Sequence, residues 1–130
     1  RIDTAVRQYA GGDWFGYYRQ LYTAEAPGWV IAQARIRELA RTCQERNIDL
    51  VVVSYPELHQ LDPYPFAVVN DALATLTSDL GIPFIDLLPA VAEQTPQTLW
   101  VTPGDAHPNA ATNRKYAGRL STALESLVSR

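Results

Sequence analysis

Two short apolar runs, Ile48 to Tyr55 (IDLVVVSY) and Ile82 to Pro89 (IPFIDLLP), enclose a segment in which Phe66, Val69, Leu73, Leu76 and Leu80 step by three and four before Gly81. Both runs are short and apolar, the first rich in β-branched residues, so they read as strands, whereas the spacing between them is that of a helix with one apolar face. A strand, a helix and a second strand within about forty residues make a βαβ unit, whose strands run parallel and are joined by a right-handed crossover. This constraint sets the fold class: α/β.

Two more helices follow from the same spacing. From Trp29 to about Arg46, Ala32, Ile36, Leu39, Ala40 and Cys43 form an apolar stripe, Arg35, Arg37, Arg41 and Glu45 face outward, and Asn47 is the stop signal. A last helix, beginning near Pro108, carries Tyr116, Leu120, Ala123, Leu124 and Leu127 on one face. Residues 1–28 read as a short helix over RIDTAVRQYA, closed by Gly11-Gly12, followed by an aromatic-rich loop.

Three good helices then surround two strands. Val51-Val52-Val53, apolar on both faces, requires sheet neighbours and covering layers that two strands do not supply. The chain of 130 residues opens on Arg1 and contains no methionine. Both observations lead to one expectation: residues 1–130 are a single incomplete domain, the C-terminal part of a doubly wound, flavodoxin-like three-layer parallel-sheet domain. Its first strands would be missing, and an N-terminal segment or an oligomer partner would cover the sheet edge.

Composition narrows the partners. With 47% hydrophobic and 19% charged residues and a formal net charge of -3, the chain has the balance of a globular domain and no basic block for nucleic acid or an anionic membrane. No apolar run reaches the roughly 18 residues of a membrane span, and the first residues lack the apolar core of a signal peptide. Cys43 is the only cysteine, so the redox compartment stays open, and its helical spacing makes it a buried position.

The chemistry-bearing stretch is Trp100 to Thr112, WVTPGDAHPNAAT. It follows the second strand and therefore lies at the carboxyl end of the sheet, where ligands bind in open α/β folds. In an extended segment Asp105 and His107, two apart, point to one face. Asp105 can then fix the tautomer and orientation of His107 and stabilise the imidazolium that forms when it takes a proton. With Pro108 in the first helical turn, His107 would sit at a helix N-terminus. The plainer alternative is a surface loop in which Asp105 caps the helix and His107 is merely exposed.

GDAHPNAATNRKYAGRL resembles the last block of the SGNH, or GDSL-type, hydrolases, in which Asp, His and often Pro-Asn lead into the terminal helix. DLVVVSYPEL and GIPFIDLLPAV are similar to that family's late strands, so the resemblance spans roughly residues 29 to 130. It implies that His107 is the general base of a Ser-His-Asp triad and Asp105 the acid that orients it. The implied activity is serine ester hydrolysis or O-acyl transfer on a small-molecule or glycan ester, without metal or organic cofactor. The commoner family spacing would put the acid at Gly104, but the shorter form also occurs. The family's Gly-Asp-Ser nucleophile block and its oxyanion-hole blocks are not in this chain.

Ser54, at a strand end, lacks the glycine-flanked turn of a nucleophile elbow and reads as a residue facing the cleft, with Tyr55 and Trp100 as further substrate-binding candidates. Ser121, Ser126 and Ser129 belong to the exposed face of the last helix. His59 is a rival base without a carboxylate motif, and Asp86 serves equally as a loop anchor. Trp14, Phe15, Tyr17, Tyr18 and Tyr22 form a satellite aromatic cluster or a pocket wall. Two further readings compete: a degenerate SGNH-like domain that binds an acyl or glycan ligand without turnover, and a metallophosphoesterase, which would need metal ligands beyond Asn109 and Asn113.

Overall fold

The computed structural model of the chain describes residues 14–129; the helix expected over RIDTAVRQYA and the side chain of Trp14 lie outside what is described. In chain order the elements are α1 (Trp14–Gln20), α2 (Pro27–Glu45), β1 (Val52–Ser54), α3 (Ala67–Asp79), β2 (Phe84–Asp86), β3 (Trp100–Thr102), β4 (Asp105–Pro108) and α4 (Ala110–Val128). Short 3-10 turns occupy Leu88–Ala90 and Pro96–Thr98. The fold is mixed α/β and divides into two compact units. One contains α1, α2 and α3; the other contains all four strands and α4.

In the helical unit, α2 begins with Pro27 at its first turn, where the missing amide hydrogen costs nothing and the fixed φ suits a helix. Trp29 and Cys43 are buried, and Ala32, Ile36 and Ala40 are half-buried between them. Leu39 departs from the expected stripe: rotated roughly 60° from the midline of the buried and half-buried residues at 3.6 residues per turn, it is 51% exposed. The helix stops at Asn47, whose φ of 54° is left-handed, while Ile48 donates its N–H back to Cys43 O at 2.9 Å. Gly81, with φ 67°, ends the run that follows α3 in the same way.

The aromatic segment expected as a loop forms α1 instead. Phe15 and Tyr18, one helical turn apart, both set their ring edges on Phe66, with centroids at 5.5 and 5.4 Å. Tyr22 packs on Trp29 at 5.3 Å. Consecutive aromatics with few charges hide the helical period in the sequence, and the contacts with Phe66 pack the helix against a distant residue.

In the second unit, β1 and β2 pair in parallel with Val52, Val53 and Ser54 opposite Phe84, Ile85 and Asp86. Leu87 donates to Ser54 O at 3.0 Å and extends the ladder by one bond. The expectation of a strand buried on both faces is not met: Val51, Val52 and Val53 are half-buried. Each strand is three residues long and pairs along one edge only among the described residues, so less of each valine is covered. The core of the unit is Leu58, Leu61, Ile85, Leu87, Val91, Leu99 and Tyr116, with Leu120 and Ala123 of α4 packed against it. Full burial of each such leucine stabilises by about 1.5–3 kcal/mol relative to exposure.

The segment after β2 holds an element the sequence reading lacks, an antiparallel β3–β4 hairpin with Trp100 opposite Pro108 and Thr102 opposite Asp105. Pro108 therefore ends a strand rather than opening the last helix. That helix starts at Ala110 because the Asn109 side chain accepts the Thr112 N–H at 2.9 Å and caps it. Along α4 the expected face holds at Tyr116, Leu120, Ala123 and Leu127, while Leu124 lies at its exposed border.

Tyr116 is 3% exposed, and its hydroxyl meets no hydrogen-bond partner among the described residues. Burial, helped by the nearby Tyr64 and Tyr55 phenols, pushes its pKa up to about 12. Because the folded value lies above the unfolded one, its contribution is complete below about pH 10 and is lost as pH rises towards 12. Tyr116→Phe removes a hydroxyl whose lone burial costs about 1–3 kcal/mol. The variant should be at least as stable at pH 7 and should unfold less readily between pH 10 and 12, as read by urea melts across that range; a large destabilisation at pH 7 would show that the hydroxyl is satisfied.

Candidate functional site

The hairpin is asymmetric. Between the paired ends, β3 runs over Trp100–Thr102, three residues, and β4 over Asp105–Pro108, four, so one extra residue is accommodated on β4 as a bulge. The Pro103-Gly104 turn closes it. At its open end, Leu99 O accepts both the Asn109 N–H at 2.8 Å and the Thr112 hydroxyl at 3.0 Å. Asn109 Nδ2 donates to Thr98 O and Trp100 O at 2.9 and 3.2 Å. The strand carrying His107 is thus tied at its root to a buried helix start.

On that bulged strand the two residues singled out by the sequence meet. Asp105 Oδ1 lies 2.5 Å from His107 Nδ1 and also accepts the His107 backbone N–H at 3.0 Å. The second bond is the local turn that an Asp forms with the backbone two residues on, and it swings the carboxylate under its own histidine. With Nδ1 engaged by the carboxylate, Nε2 is the nitrogen left to exchange a proton with a reactant. The imidazole is accessible, its side chain 86% exposed. The alternative role of helix cap falls to Asn109, not to Asp105. Asp105 is held below the usual carboxylate range, first by the His107 backbone N–H and then by the His107 ring.

His59 corrects the sequence reading. In place of a histidine without a carboxylate motif, Glu57 Oε2 accepts its backbone N–H at 2.9 Å and Glu57 Oε1 pairs with its Nδ1. Glu57-Leu58-His59 repeats the acid-x-His spacing of Asp105-Ala106-His107, so the signal was present. The His59 ring rests 5.3 Å from that of Trp100, whose indole N–H donates to Leu58 O at 3.0 Å. Trp100 therefore touches the second pair with its ring and adjoins the first through its backbone partner Pro108.

The other candidates divide. Ser54 is buried at the end of β1. Tyr55 is 59% exposed and sets its ring 5.4 Å from Tyr116, which leaves it open to a ligand. Asp86 is a loop anchor, its Oδ1 accepting the Leu88 N–H at 2.8 Å. Ser121, Ser126 and Ser129 are exposed and bond within their own helix, and Asn113 donates to Pro108 O. Phe15, Tyr17, Tyr18 and Tyr22 form the satellite aromatic cluster of the helical unit.

Among the described residues, no three His, Cys, Asp or Glu side chains gather to hold a metal ion, and no helix is long and apolar enough to cross a membrane. Set against protein-family models, curated proteins and solved structures, the chain matches none of them.

Two predictions test how this site is built. Asn109→Ala should cost more than the ~1 kcal/mol of an ordinary cap, because its amide also donates to two carbonyls; Asn109→Asp should recover the cap alone, and denaturant midpoints of the pair measure the difference. The depressed Asp105 pKa places its stabilising contribution above the unfolded value, near 3.9, with loss as pH falls through the folded one. Carboxyl NMR titration should show Asp105 still depressed in His107→Ala, since the backbone N–H, the larger cause, survives. A return to the ordinary carboxylate value would assign the effect to the ring.

Proposed function

We propose that the chain is the C-terminal part of an SGNH-type serine esterase or O-acyltransferase, with His107 as general base and Asp105 as the residue that orients it. The observation that carries this reading is the Asp105–His107 pair: the carboxylate is on Nδ1 and the imidazole is accessible on a strand anchored to a helix start. In this reading the parallel pair β1–β2 belongs to a larger flavodoxin-like sheet, completed by strands and a nucleophilic serine from sequence outside these residues.

The chemistry follows from the arrangement. His107 Nε2 takes the serine proton as the hydroxyl attacks the ester carbonyl, and Asp105 stabilises the resulting imidazolium. The same nitrogen returns the proton to the departing alkoxide, leaving an acyl-enzyme. It then activates water for hydrolysis or an acceptor alcohol for transfer. Tyr55 and Trp100 are the side chains proposed to flank the substrate, and Ser54 lies at the same strand end as Tyr55. No step calls for a metal ion, so exhaustive chelation should leave turnover intact.

The test uses the protein carrying its upstream nucleophile. His107→Ala should lower kcat by roughly a thousandfold or more with the fold retained, and Asp105→Asn should also be severe. The acid limb of the kcat/KM profile should disappear in the His107 variant. Residues 1–130 alone should hydrolyse no activated ester, and a serine-directed phosphonate should label a serine outside them. Near wild-type turnover in a folded His107→Ala protein sinks the assignment; labelling of Ser54 moves the nucleophile into this chain. Ligand binding without any turnover would favour a binding domain.

A further inference from the structure

Beside the Glu57–His59 pair, and apart from His107, lies an open cavity of about 380 Å³. Its walls come from two loops of the same unit, one carrying His59, Gln60 and Asp62 and the other Glu93, Gln94 and Thr95. We infer that this cavity is a binding site for a neutral, hydroxyl-rich ligand, a glycan, with His59 as its oriented polar anchor.

Four features of the walls carry the inference. The volume falls within the range of small-molecule sites, about 300–1,000 Å³. Among the described residues no lysine or arginine lines the cavity, while Asp62 and Glu93 do, so phosphate, sulfate and uronate ligands meet like charge. Carboxylates accept, and amides and hydroxyls both accept and donate; vicinal hydroxyls, each donor and acceptor at once, satisfy that mixture. Pro96 and Ala92 add apolar surface for the C–H face of a sugar ring.

His59 is prepared for the role of anchor. Glu57 engages its Nδ1 and Trp100 packs on its ring, so two contacts restrain the imidazole before any ligand arrives, and the bond from its backbone N–H to Glu57 holds the main chain. Restraint of this kind lowers the entropy lost on binding. Gln60 is held in a similar way, its amide donating to Pro63 O at 2.9 Å. A divalent cation is a poorer occupant, since no third ligand joins a pair of His, Cys, Asp or Glu among the described residues.

Binding to this cavity does not depend on the esterase reading. The extension that the glycan is the alcohol half of the substrate does rest on it; Trp100, which contacts His59 and whose backbone pairs with Pro108 next to His107, supplies the link.

The experiment is titration calorimetry with backbone NMR mapping, using xylotriose, cellotriose, maltotriose and chitotriose as neutral probes and trigalacturonate and spermidine as charged ones. At least one neutral trisaccharide should bind and shift His59, Glu93 and Thr95. His59→Ala and the exposed Glu93→Ala should each weaken that binding about tenfold or more, while the exposed Ser126→Ala on α4 leaves it unchanged. Binding of trigalacturonate or spermidine alone, binding insensitive to both cavity variants, or no shift in the cavity with any trisaccharide would overturn the proposal. Trisaccharide binding in a protein that turns over no ester would sink the esterase reading alone; turnover of an aryl acetate with an unresponsive cavity would sink this inference alone.

Discussion

The carbonyl of Leu99 accepts two hydrogen bonds, one from the Asn109 amide and one from the Thr112 hydroxyl, in a place where Leu99 and Thr112 are almost wholly shielded from water. A buried carbonyl left unpaired costs more than the bond it would have made, so the chain cannot pass this point in many ways. Asn109 adds its cap to Thr112 and its amide donors to Thr98 and Trp100. The start of the last helix, both strands of the hairpin and the loop before them are therefore fixed by one polar node. His107 stands two residues from it.

That node explains how a short, exposed strand can present a side chain with definite geometry. A two-stranded hairpin alone is marginal in water. Here its root is seated in the hydrophobic core through Leu99, and the bond from the His107 N–H to Asp105 Oδ1 holds the carboxylate beside the imidazole. The Glu57–His59 pair obtains its order differently. It sits in a loop, and the loop is steadied by Tyr64, whose hydroxyl accepts the Glu57 N–H, and by the Trp100 indole on Leu58 O. Two acid-x-His sequences thus reach the same local arrangement on unlike supports.

The sequence was most readable where one local rule acts alone. Asn47 and Gly81 stop their helices because the chain needs a left-handed residue there, and such residues announce themselves. The two parallel strands show as short apolar runs, and Asp105 meets His107 through a bond between near neighbours. Readability failed where distant contacts decide. The helix at Trp14–Gln20 depends on Phe66, and the strand at Trp100–Thr102 on Asp105–Pro108. Pro108 has the look of a helix start because proline suits that place; the Asn109 side chain, which donates two hydrogen bonds and accepts the Thr112 N–H, outweighs that preference. Glu57-Leu58-His59 was overlooked for another reason. Its spacing was visible, but no familiar block surrounds it.

The two pairs also differ in what their surroundings permit, and this bears on division of labour between them. Asp105 and His107 are accessible, so reactants can approach the free ring nitrogen and protons can be exchanged with water. That suits a base that must turn over. His59 is held against Trp100 beside a cavity whose walls supply acceptors and amides. Mobility there would cost affinity, and its restraint suits a residue that recognises rather than reacts. Trp100 contacts His59 with its ring and keeps step with Pro108 through its backbone. A substitution such as Trp100→Ala would therefore loosen the contact with His59 directly and reach His107 only through the hairpin; on the proposed reading, this indole would be the link between ligand binding and proton transfer.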